Sequence, residues 1–181
     1  MAIKTFTTGE VLTASDTNTY LANSGLVYIA TKTFTTTATL NCTGVFSSTY
    51  DNYCAFVYLS PTPGGSIVQT TLLSGTTPLT TGYDSYESGN VWTGASDSTA
   101  SPSTAYWFGL RSASYIQAKM EIMNPYVYNV YTSFQSEGVD DTQSWQARGV
   151  NRSVPSYDGI RFYNASGNMS GTVTFYGYRK A

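Results

Sequence analysis

Apolar and polar residues alternate with a period of two through most of this chain. The clearest run is Tyr115 to Met123 (YIQAKMEIM), where Ile116, Ala118, Met120 and Ile122 share one face against Gln117, Lys119 and Glu121. Successive side chains of a strand point to opposite sides, so this pattern predicts a half-buried strand. Two further alternating runs, Gly159 to Tyr163 and Gly171 to Tyr178, flank the turn formers Asn164 to Ser170. They predict a closing β-hairpin. Its second strand has Val173 and Phe175 on one face and Thr172, Thr174 and Tyr176 on the other, which places it centrally in a β core. Tyr53 to Ser60 (YCAFVYLS) is apolar on both faces and is expected to be central too. Leu26 to Phe34, Ala38 to Phe46, Ser66 to Leu73, Ala105 to Arg111, Tyr126 to Gln135 and Gln143 to Val150 complete about ten expected strands. Pro61 to Gly65 and Asn124-Pro125 are breaks. Many strands with short turns predict an all-β, antiparallel two-sheet β-sandwich, jelly-roll-like. The chain has no repeat of fixed period, which disfavours a propeller or a β-helix.

Two segments depart from this pattern. Residues 1–25 form a short extended piece followed by Thr13-Ala14-Ser15-Asp16, a capping-box sequence that predicts a helix to about Asn23, with Gly25 as its stop. Phe6, Val11, Leu12, Tyr20 and Leu21 supply its apolar surface. The segment suits either a cap over the β core or an attachment arm, with residues 26–181 as the sandwich domain. The stretch from Ser74 to Thr104 is rich in Ser, Thr, Gly and Asp, and is expected to be a long loop with short strands near Gly82 to Tyr86 and Asn90 to Thr93.

Composition narrows the chemistry. The 181 residues suffice for one domain, whose folding buries roughly 70% of the unfolded surface. Only 11% of residues are charged and the net charge is −2, with basic residues scattered, which argues against a nucleic-acid groove. A surface so poor in charge suits a protein held in an assembly. The chain lacks histidine, which removes Ser-His-Asp and Cys-His nucleophile systems and His-ligated metals. Neither a catalytic activity nor a cofactor or metal is therefore expected. Carboxylate pairs remain: Asp84 with Glu87, and Asp140 with Asp141. A glycosidase would need two carboxylates at a set separation, and nothing in this spacing requires one. Asp140-Asp141 reads as a solvated turn. Cys42 and Cys54, expected on adjacent strands, are read as buried reduced thiols in preference to a cross-strand disulfide. The opening residues MAIKTFTTGEVL hold no long apolar run, so neither a signal peptide nor a membrane span is expected. The chain holds 16 tyrosines, 8 phenylalanines and 3 tryptophans, and tyrosine can stand in for leucine in a fold this rich in strands. Trp107 and Phe108 are expected in the core, whereas Tyr83, Tyr86 and Trp92 in the polar loop are candidates for contact with a partner or a glycan.

Three motifs carry a family likeness. The ending SGNMSGTVTFYGYRK, the opening TFTTGEVLTASDTNTYL and the internal VFSSTYDNYCAFV resemble a family of virion proteins of tailed bacteriophages, frequent in phages of cyanobacteria. The likeness is weakest between Gly64 and Tyr106. It implies a structural protein of the virion, made in the host cytoplasm, with tail, fibre and head decoration all open. It implies attachment through the N-terminal segment to other virion proteins, and a homotrimer. The alternative is a receptor module binding a host surface glycan through its loop aromatics.

Overall fold

The structure is a computed structural model that describes residues 7–16, 25–62, 68–91, 96–107, 115–141 and 143–180. It is an antiparallel sandwich of two unequal sheets. The large sheet contains β1 (Leu26–Thr37), β3 (Tyr50–Thr62), β6 (Tyr83–Val91), β7 (Ser96–Ser103), β9 (Ile116–Met123), β10 (Thr132–Asp140), β11 (Gln143–Asn151) and β13 (Asn168–Arg179), in the order β1-β13-β3-β9-β10-β11-β6-β7. The small sheet contains β2 (Thr39–Cys42), β12 (Gly159–Asn164), β4 (Val68–Ser74) and β5 (Thr77–Pro78) in that order, and β8 (Tyr106–Trp107) also pairs with β4.

Alternation fills the space between the sheets. Tyr53, Ala55, Val57 and Leu59 of β3 point inward, as do Ile116, Met120 and Ile122 of β9 and Val173 and Phe175 of β13. The small sheet answers with Cys42, Val68, Leu72, Ile160 and Phe162. Full burial of each such large side chain stabilises by about 1.5–3 kcal/mol. The inward Tyr53 and Tyr106 keep their hydroxyls bonded. Tyr53 Oη accepts from the Ser47 amide at 2.7 Å and donates to the Ser47 carbonyl at 2.8 Å. The Tyr106 ring stacks on Phe134 with centroids 4.9 Å apart, and its hydroxyl meets Ser136 Oγ at 2.7 Å.

The strands β9, β11 and β3 fall where the alternation placed them, and the β13 strand is flanked on both sides. The closing hairpin is corrected: β12 pairs with β2 and β4 in the small sheet, while β13 pairs with β1 and β3 in the large one. The turn between them crosses from sheet to sheet, held by Asn164, whose Oδ1 accepts from the Ser166 amide at 3.1 Å and whose Nδ2 donates to the Asn168 carbonyl at 3.2 Å. The strand expected from Tyr126 begins instead at Thr132. Asn124 and Asn129 hold positive φ of 58° and 64°, which sends residues 124–131 out as a loop. The expected long loop from Ser74 is mostly strand, because β6 pairs with both β11 and β7. The N-terminal helix is not seen. The described residues there hold one helical turn, Ala14–Asp16, and residues 17–24 lie outside those described. Val11 and Leu12 beside it are exposed.

Cys42 and Cys54 are free and buried. They sit on β2 and β3, which belong to different sheets, so the expected strand adjacency is corrected. Burial pushes the Cys42 thiol from its ordinary 9.0 up to about 12. Burial, followed by the charge of Glu121, pushes Cys54 up to about 11. The folded state thus holds both protons more tightly than the unfolded state does, and stability is complete below about pH 9 and falls as pH rises towards 11 and 12. A thermal-melt series across pH 7–12 should show a plateau and then this decline. A thiol-reactive dye at pH 8 should find no thiol in the native protein and both in denaturant; two native reactive thiols would contradict the burial.

Gly171 has a φ of 152°, and a Cβ there would fall on the Tyr58 carbonyl of the adjoining strand. Gly171→Ala is expected to cost about 2–4 kcal/mol, read as a lower urea midpoint at unchanged slope.

Candidate binding surface

The same alternation that fills the core leaves the other face of the large sheet to solvent. From β13 through β6 the five pairings β13-β3, β3-β9, β9-β10, β10-β11 and β11-β6 keep one register, with a shift only at Gly177/Arg179. Outward residues therefore line up in continuous rows across six strands. One row runs Thr174, Phe56, Lys119, Glu137, Gln146 and Ser88. The next runs Thr172, Tyr58, Gln117, Val139, Ser144 and Asn90. Together with Tyr86 these two rows line a single open groove of about 1110 Å³.

Aromatic and polar residues divide the groove. Phe56 and Tyr58 are about half exposed on β3 at one end, and Tyr86 is about half exposed on β6 at the other. Phe56 meets the edge of Tyr176 with centroids 5.8 Å apart, and Tyr176 meets Tyr28 at 6.0 Å, so the aromatic end continues to the β1 edge of the sheet. The middle is mostly polar, with Gln117, Lys119, Glu137, Gln146, Ser144 and Ser88 around the exposed Val139. Lys119 Nζ lies 2.6 Å from Glu121 Oε1 and opposes Glu137 in the ladder. The hydrogen bond that Lys119 donates to Glu121 is the main cause that raises the ammonium's pKa, so this cation stays charged and its charge is answered by carboxylates. Glu121 also accepts from the Tyr178 hydroxyl at 2.8 Å. The floor is thus hydrogen-bonding, with one lysine set against two carboxylates.

No family model, no curated protein and no solved structure matches the chain.

The structure places the residues singled out by sequence very differently from one another. Tyr86 lines the groove. Tyr83 is corrected: it is only 2% exposed, on the inner face of β6, and its hydroxyl accepts from the Leu72 amide of the opposite sheet at 2.7 Å. Burial raises its pKa well above the ordinary tyrosine value. Trp92, Phe108, Phe6, Tyr20 and Leu21 lie outside the described residues. Val11 and Leu12 are exposed. Asp84 and Glu87 are three residues apart on one strand, so they point to opposite faces; Asp84 pairs with Arg152 at 2.5 Å and Glu87 is buried. They cannot converge on one substrate atom. Asp140 is corrected from a solvated turn to a buried acceptor, bonded by the Gln143 amide at 3.0 Å and by Gln143 Nε2 at 3.2 Å. Among the described residues no three His, Cys, Asp or Glu side chains gather as a metal group.

Sequence reasoning missed the outer-face rows and the loop 124–131, which exposes Tyr128 and Tyr131. A signal for the rows existed. Phe56 and Tyr58 fall out of phase with Ala55, Val57 and Leu59, which marks a second apolar face that a two-layer fold leaves uncovered.

Tyr83→Phe removes the acceptor of a buried amide and is expected to cost about 1–3 kcal/mol. Equilibrium denaturation checks this, and an unchanged midpoint would contradict the bridge between the sheets.

Proposed function

We propose that the chain is a non-enzymatic structural protein of a tailed-bacteriophage virion, a component of tail, fibre or head decoration that assembles as a homotrimer. The observation that carries this reading is the amount of aromatic surface left open in a chain with so little charge. Away from the groove, Tyr128 is 74% exposed, Tyr28 is 59% exposed and Tyr131 is about half exposed. Tyrosine and phenylalanine are enriched where protein surfaces meet, because each offers large rigid contact area at little entropic cost. The sequence motifs at both ends of the chain point the same way. Val11 and Leu12, exposed beside the single helical turn, are the described part of the attachment segment, which would bury them against other virion proteins.

In this reading burial at subunit seams supplies the affinity, and the Thr- and Ser-rich rim sets register. Two measurements test it. Sedimentation of the purified protein should give three times the chain mass of 19.6 kDa. The double substitution Val11→Asp with Leu12→Asp should leave thermal stability unchanged and remove the protein from purified particles. Normal incorporation of that variant would contradict attachment through this segment.

A further inference from the structure

The groove on the outer face of the large sheet has the chemistry of a ligand site. Neighbouring strands lie about 4.8 Å apart, so six of them give a groove about 24 Å long, room for about four linked sugar rings. Its direction is set by the rows, across the strands. Along it stand side chains that can both donate and accept: Gln117, Gln146, Ser144 and Ser88. Amides and hydroxyls of this kind match vicinal sugar hydroxyls, which also both donate and accept. Tyr58 and Tyr86, each about half exposed, stand towards the two ends, where the C–H face of a sugar can lie against an aromatic ring.

Charge selects among ligands. Lys119 is the lysine of the groove floor, and it is bonded to Glu121 and opposed by Glu137. A phosphate-rich or uronate-rich polymer would meet carboxylates without a surplus of cations, which opposes its binding. A purely apolar partner would bury the Lys119–Glu121 pair and the glutamine amides without replacing their hydrogen bonds with water. A neutral, hydroxyl-rich chain avoids both costs.

We propose that this groove binds a neutral polysaccharide, with Tyr58 and Tyr86 as stacking platforms and Gln117 and Gln146 as hydrogen-bonding partners. The site shares only Tyr86 with the loop contact expected from sequence, and it requires that this face stay free of subunit contacts. Its occupant is an extended chain lying across the strands.

Affinity electrophoresis of the purified full chain tests this, in native gels containing dextran, mannan, galactan or mixed-linkage β-glucan, with alginate as the anionic control. The expected result is retardation by at least one neutral polymer and none by alginate. Tyr58→Ala and Gln146→Ala should each weaken that retardation at least tenfold, and Tyr128→Ala, outside the groove, should leave it unchanged. All three variants should keep the parent melting temperature, since these side chains face solvent. Retardation by none of the neutral polymers overturns the proposal. So does preference for alginate, or binding that Tyr58→Ala and Gln146→Ala leave intact. A fall in sedimenting mass on Tyr58→Ala would mark the face as a subunit contact and would also overturn it.

Discussion

The pairing of β13 with β3 is the constraint on which the rest of the molecule depends. It joins the C-terminal strand to the most apolar one, and it sets which face of each looks inward. Val173 opposes Val57 and Phe175 opposes Ala55, all buried, while Thr172 opposes Tyr58 and Thr174 opposes Phe56 on the outside. A slip of one residue would turn every one of these side chains over. Gly171 guards the register, since only glycine allows the close approach to the Tyr58 carbonyl. From this pair the register passes through β9, β10 and β11 to β6, so one choice at β13 organises both the core and the outer groove.

The sequence made the strands legible but not their partners. The alternation of Ile116, Ala118, Met120 and Ile122 named the inner face of β9 correctly because a single-sided burden of apolar residues has one solution in a sandwich. The closing hairpin was misread for the same reason. Two alternating runs around a turn look identical whether the strands pair with each other or face each other across a core, because both arrangements bury the same face. What decides between them is the turn at Asn164, where the side chain caps a crossing between sheets. Tyr126 to Tyr131 reads as strand by composition, yet positive φ at Asn124 and Asn129 breaks the ladder there, and only the folded context shows it. Tyr83 and Tyr86 were equivalent in sequence. They differ by an odd number of positions on one strand, so one reaches Leu72 across the core and the other reaches solvent.

The candidate surface follows from an imbalance between the sheets. The large sheet has eight strands and one core to fill, and among the described residues its outer face carries no second layer. Uncovered strands carrying Phe and Tyr among amides and hydroxyls have two physical uses, contact with another subunit and contact with a hydroxyl-rich ligand. The exposed loop 124–131 and the N-terminal segment suit the first, and the groove, with no surplus of cations and with aligned polar rows, suits the second. The two uses occupy different parts of the molecule and can coexist in one chain.

Hydrogen exchange of individual backbone amides tests the foundation most directly. Amides at the centre of the most stable unit exchange only when the whole domain unfolds. The account predicts that residues 172–176 of β13 and 55–59 of β3 exchange slowest in the protein, with a common free energy equal to that of global unfolding. Faster exchange there than in β6 and β7 would contradict the claim that this pair organises the fold.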